Sequence, residues 1–112
     1  MIYMLSRFDL KPETDFQSFQ KSYARFFEHI KSVGLAETAG KICARVHNTP
    51  MDTDEEDAPE YYAIMTFRDR DQLDEAYRYM ATGNAHPAHL ESHETINKAI
   101  TNQVFTCWQD ED

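Results

Sequence analysis

The chain has 112 residues and a formal net charge of −9, with a pI near 4.9. At 41% hydrophobic and 12% aromatic it can build a real core, which sets it apart from disordered chains. The acidic balance argues against nucleic acid and anionic membrane surfaces, both of which require a basic patch. No window approaches the roughly 18 apolar residues of a membrane span. The opening Met1-Ile2-Tyr3-Met4-Leu5-Ser6-Arg7 lacks a basic region followed by a long apolar stretch. No signal peptide is expected, and a cytoplasmic location follows as the expectation. The two cysteines, Cys43 and Cys107, lie far apart in apolar segments and read as free thiols of a reducing compartment.

Ile2 to Phe8 is short and apolar, is bounded by Lys11-Pro12, and reads as a strand. Thr14-Asp15-Phe16-Gln17 has the spacing of a capping box with Thr14 as the N-cap. Behind it Phe16, Phe19, Tyr23, Phe26, Ile30 and Val33 recur at steps of three and four, marking one apolar helix face that ends at Gly34. Lys41 to His47 alternates, with Ile42, Ala44 and Val46 on one side and Lys41, Cys43, Arg45 and His47 on the other. A proline-bounded acidic loop follows, residues 48–59. Its Asp52-x-Asp54-x-Glu56 lacks the glycine and final glutamate of a calcium loop, so it reads as a solvated connection.

Tyr61 to Phe67 is a third strand, apolar on both faces. Asp69 begins a second helix whose inner face is expected to carry Leu73, Ala76, Tyr77 and Met80. A third helix is expected from Pro87 to about Ile100, with proline at the favoured first position. Val104 to Trp108 closes the sheet.

This order fits one α+β domain over residues 1–112, a ferredoxin-like βαββαβ sandwich. Its antiparallel sheet has strand order 4-1-3-2, and a short extra helix precedes the last strand. Two helices cover one face. The other face also carries aromatic and aliphatic residues, so a second cover is needed, and the natural one is another copy of the chain, sheet against sheet. In this order Cys43 and Cys107 fall on opposite edge strands, roughly 14 Å apart, beyond disulfide reach.

The strand Tyr61–Phe67, the helix after it and the turn His86-Pro87-Ala88-His89 resemble the stress-responsive α+β barrel proteins. These belong to the dimeric α+β barrel superfamily, together with the small antibiotic-biosynthesis monooxygenases. The opening strand, with Arg7-Phe8-Asp9-Leu10-Lys11-Pro12 leading into a helix, is similar to both groups. The resemblance implies a homodimer whose two sheets close one barrel around a cavity. Met4 stands where the stress-responsive group typically has a histidine, and the Asn, Trp and His set of the monooxygenases is not matched. No catalytic residue is carried over.

The third helix places His89 and His93 in one angular sector with Leu90, Ile96 and Ile100, facing inward. Three readings stand side by side: core histidines, hydrogen bonders lining a pocket, and metal ligands. The i, i+4 spacing suits zinc, but the glutamate of His-Glu-x-x-His is missing and no third ligand is fixed, so neither a metal nor another cofactor is expected. Arg45 and His47 lie opposite the aliphatic side of their strand and either rim the barrel or are solvated. The candidate ligand-binding residues are Arg45, His47, Tyr62, Met65, His86, His89 and Trp108. The expected function is a homodimer holding an elongated apolar molecule, fatty-acid-like or polyketide-like, in the barrel. The alternatives are a cofactor-independent monooxygenase or cyclase acting on such a molecule, and a purely structural protein with a filled barrel.

Overall fold

The computed structural model describes residues 1–81 and 87–111, with the side chains of 82–90 outside the description. Five strands and three helices follow in the order β1 (Ile2–Leu10), α1 (Phe16–Ser32), β2 (Thr38–Ala39), β3 (Cys43–Ala44), β4 (Tyr61–Phe67), α2 (Arg70–Ala81), α3 (Pro87–Ala99) and β5 (Ile100–Gln109). The sheet is antiparallel, in the order β2-β4-β1-β5, with β3 also paired to β4. Counting β2 and β3 as one interrupted strand gives the expected ferredoxin-like arrangement.

The interruption has a countable cause. Thr38 opposes Thr66 and Cys43 opposes Tyr62, so five steps along one strand match four along the other. One extra residue is accommodated as a bulge around Gly40 and Lys41, while the Gly40 amide still donates to the Ile64 carbonyl at 2.8 Å. The expected continuous strand over 41–47 therefore shrinks to Cys43–Ala44, and Val46 is exposed. The alternation itself holds: Ala44 pairs with Tyr61 on the helix side and Cys43 with Tyr62 on the other.

Two helix details differ from the sequence reading. The N-cap of α1 is Asp15, not Thr14; its carboxylate accepts the Ser18 amide at 3.0 Å and the Ser18 hydroxyl at 2.7 Å. A carboxylate at the N-terminus also meets the positive end of the helix dipole, an advantage a threonine hydroxyl lacks. Val33, at the end of the expected stripe, is the C-cap and exposed, and Gly34 at φ 77° stops the helix. On α2 the inward tyrosine is Tyr79, which hydrogen-bonds His29 of α1 at 2.7 Å, whereas Tyr77 is 70% exposed.

All buried strand residues of the two apolar clusters point to the helix side. Ile2, Met65 and Phe67 pack with Phe26, Ile30, Ala36 and Ala76, and Phe8 packs with Phe19 and Ile100. Gln72 is 4% exposed and ties the layers together: it donates to the Gly34 carbonyl at 3.0 Å and accepts the Arg68 amide at 2.6 Å. Its amide thereby satisfies two part-buried backbone groups, one on each layer.

Candidate functional site

The pleat sorts every strand residue onto one of two surfaces. Met4 pairs with Met65 and Cys107, and Ser6 with Ala63 and Phe105, so these side chains face the helices. Tyr3, Leu5 and Arg7 pair with Thr66, Ile64 and Tyr62 on one flank and with Trp108, Thr106 and Val104 on the other. They face away from the helices. On that open side Tyr62, Val104 and Trp108 are exposed.

Between sheet and helices lies an apolar cavity of 340 Å³. Its strand wall is Met4, Ser6, Phe8, Met65, Phe67 and Phe105, and α1 supplies Phe19, Tyr23, Phe26 and Ile30. Helix α2 contributes Ala76, Tyr77 and Met80, and α3 adds His93, Ile96 and Asn97. Ile30, Phe67 and Ala76 form a floor that is at most 1% exposed. Tyr77, Phe105 (54% exposed) and Asn97 mark the solvent end.

Two polar groups on this wall are shaped by their surroundings. Burial pushes the Tyr23 phenol up to about 12, so it stays protonated. Burial lowers His93 from the ordinary histidine range, because a charged ring loses its hydration there. The His93 ring stacks on Phe26 with centroids 5.1 Å apart, and its Nε2 lies 3.3 Å from Asn97 Nδ2.

The residues singled out from sequence do not converge on one place. Met65 is 3% exposed and lines the helix-side cavity. Arg45 and Tyr62 meet in a separate hollow of 380 Å³ with Arg7 and Asp52. Trp108 sits on the open face, its indole N–H donating to Thr106 at 2.8 Å. His47 contacts Glu60 at 2.7 Å on the surface. His86 and the side chain of His89 lie outside the described residues.

Arg45 is already occupied. Both its terminal nitrogens bond the Asp54 carboxylate, and Asp52 lies 3.5 Å from it. Arg7 reaches the same Asp54 at 3.5 Å. The pairing holds Asp54 below the usual carboxylate range and raises Arg45 further. The loop read as merely solvated is thus pinned over one end of the open sheet face. Sequence reasoning counted Phe105 toward the apolar ligand surface but read Tyr23 only as part of a buried helix face and missed the cavity-lining Asn97. The inward sector containing His93, one turn before Asn97, was the available signal. Among the described residues no three His, Cys, Asp or Glu side chains are grouped to hold a metal ion, and no helix is long and apolar enough to cross a membrane.

Several solved structures share this fold. A protein from Arabidopsis thaliana, At3g17210, superposes with a TM-score of 0.71 at 11% identity, covering 100% of this chain and 97% of its own. A dimeric ferredoxin-like protein of unknown function from Jannaschia sp. CCS1 gives 0.64 at 16% identity, covering 97% and 98%. SnoaB, a cofactor-independent oxygenase from Streptomyces nogalater, gives 0.58 at 14% identity, covering 99% and 93%. At these identities the likeness is one of fold. No curated protein matches the chain. Residues 1–110 match the model of a family of unknown function, DUF6614, and the chain belongs to that family.

Proposed function

We propose that the protein is a homodimer that binds an elongated apolar small molecule. The observation that carries this reading is the 340 Å³ cavity between sheet and helices. It falls within the size range of small-molecule sites, its wall is overwhelmingly apolar, and a few hydrogen-bonding groups sit near its solvent end. Two methionines, Met4 and Met65, face each other across β1 and β4 and give the wall an adaptable shape. On this reading the molecule lies on the helix side of the sheet rather than in the barrel between two sheets, where the sequence reading put it, and Met65 is the residue the two sites share. Support for the dimer is the apolar open face with Tyr62, Val104 and Trp108, together with the dimeric state of ferredoxin-like proteins of the same fold.

Calorimetric titration of the delipidated protein with fatty acids, fatty alcohols and aromatic polyketides tests the binding reading. Micromolar binding by one of them, abolished by Met65→Trp, is expected. Failure of all to bind below millimolar concentration overturns it. Light scattering tests the dimer, which should weigh twice the 13.1 kDa of one chain. Burial on the order of 1,500–2,500 Å² would hold it at micromolar concentration.

A cofactor-independent oxygenase or cyclase acting on the same molecule is the second reading. It is favoured by His93, a ring kept neutral by burial and set on the cavity wall, where it can accept a proton from a bound substrate. Turnover of a bound polyketide that disappears in His93→Phe, with binding retained, supports this reading over simple binding.

A further inference from the structure

The polar part of the cavity wall has one chemical property in common. Ser6, Tyr23, Tyr77, His93 and Asn97 present hydroxyls, an amide and an imidazole, and among the described residues no Lys, Arg, Asp or Glu lines the cavity. Residues 82–90 contain no lysine or arginine, and their titratable side chains are the histidines His86 and His89, which are largely uncharged near pH 8 unless paired with an acid. Two cations on the opposite side of the sheet, Arg45 and Arg7, both reach Asp54. Burial further disfavours a positive charge on His93.

A carboxylate entering this space would leave its hydration shell and, among the described residues, meet no lysine or arginine. Burying an ionised group without a partner is strongly unfavourable, and the group takes up a proton or stays outside. The net charge of −9 adds a field that lowers the local concentration of anions. A ketone, aldehyde, ester, alcohol or phenol meets none of these penalties. Its oxygen can accept from the second N–H of the Asn97 amide, whose nitrogen also lies beside the His93 ring, or from a tyrosine hydroxyl.

The geometry also orders the molecule. The floor of Ile30, Phe67 and Ala76 is fully buried, whereas Tyr77 and Asn97 are exposed at the mouth and His93 is half-buried between them. An apolar body fits the floor and an oxygenated group fits the mouth.

We infer that the cavity selects molecules whose oxygenated group is uncharged, held at the Tyr77, His93 and Asn97 end, and that it discriminates against carboxylates of equal length. This rests on the reading of the cavity as a binding site and narrows the class of its ligand to neutral oxygenated compounds.

The experiment is calorimetry at a pH near 8 with decanol, methyl octyl ketone and decanoate, using the wild-type protein and Asn97→Lys. Wild-type protein should bind the alcohol or ketone at least roughly tenfold more tightly than decanoate, the usual scale of an uncompensated polar group. The exposed lysine in Asn97→Lys should raise decanoate affinity and narrow or reverse that ratio. Decanoate binding as tightly as the neutral compounds to the wild type overturns the inference while leaving the cavity as a binding site. An unchanged ratio in Asn97→Lys also overturns it, since the head group would then lie elsewhere. Absence of binding by all three compounds overturns the binding reading and the inference together.

Discussion

The imidazole of His93 lies against the ring of Phe26, with centroids 5.1 Å apart and planes 22° from parallel. This contact joins α3 to the core face of α1 and keeps the histidine partly dry. Burial holds the ring below its ordinary value of 6.5. The unfolded chain therefore takes up this proton first as the pH falls. Stability is lost as the pH drops through about 6.5 and levels off below the folded value. The urea midpoint should fall more between pH 7.5 and pH 5.5 for the wild type than for His93→Leu. Equal falls would show that titration of this ring is not coupled to folding.

Gln72 offers a sharper test of the core. Gln72→Leu keeps the volume but strands the Arg68 amide and the Gly34 carbonyl, both of which the native side chain satisfies. A loss of about 1 kcal/mol is expected, the net contribution of hydrogen bonds to part-buried backbone groups. Urea unfolding measures it; a change within a few tenths would mean that water replaces the amide.

The two neighbouring cap candidates of α1 should separate cleanly. Asp15→Ala removes the acceptor of the Ser18 amide and should lower Tm by a few degrees, while Thr14→Ala should leave it nearly unchanged. The carboxylate is held below its usual range mainly by the Ser18 hydroxyl and amide. Its contribution is thus present above about pH 4 and is lost on further acidification. A larger effect from Thr14→Ala than from Asp15→Ala would restore the capping box.

Arg45→Ala should free the acidic loop without unfolding the domain, because Asp52 and Asp54 then lose the guanidinium that anchors them. Limited proteolysis should cut residues 48–59 faster in the variant, with an unchanged thermal midpoint. Because the pair is accessible to water, salt should have the same effect on the wild type in milder form. Equal cleavage rates would show that Arg45 does not restrain the loop.

Much of the architecture was legible in the sequence. Phe19, Phe26 and Ile30 announced the buried stripe of α1 by their spacing, and the alternation around Ala44 correctly assigned both sides of its strand. Errors arose where two physically similar choices lay adjacent. Thr14 and Asp15 can both cap a helix, and Tyr77 and Tyr79 lie on the same helix two positions apart. The partner of Arg45 was not legible, because the neighbouring loop offers several acidic residues and only its folded path selects Asp54. The cavity was illegible for a different reason: the sequence marked Met65 as a ligand contact and left His93 open between core and pocket, but the spacing that put Tyr23 on a buried helix face cannot tell a filled interior from one with space left in it.

Strand β1 serves two surfaces through interleaved positions. Met4 and Ser6 shape the cavity, while Tyr3, Leu5 and Arg7 belong to the bare side of the sheet. A one-residue slip exchanges the two sets entirely. Descendants of this sequence can therefore vary by substitution within either set and leave the other untouched. Insertion or deletion within β1 would scramble both at once. The strand's length thus bears on both surfaces at once, whereas the identity of each residue bears on one.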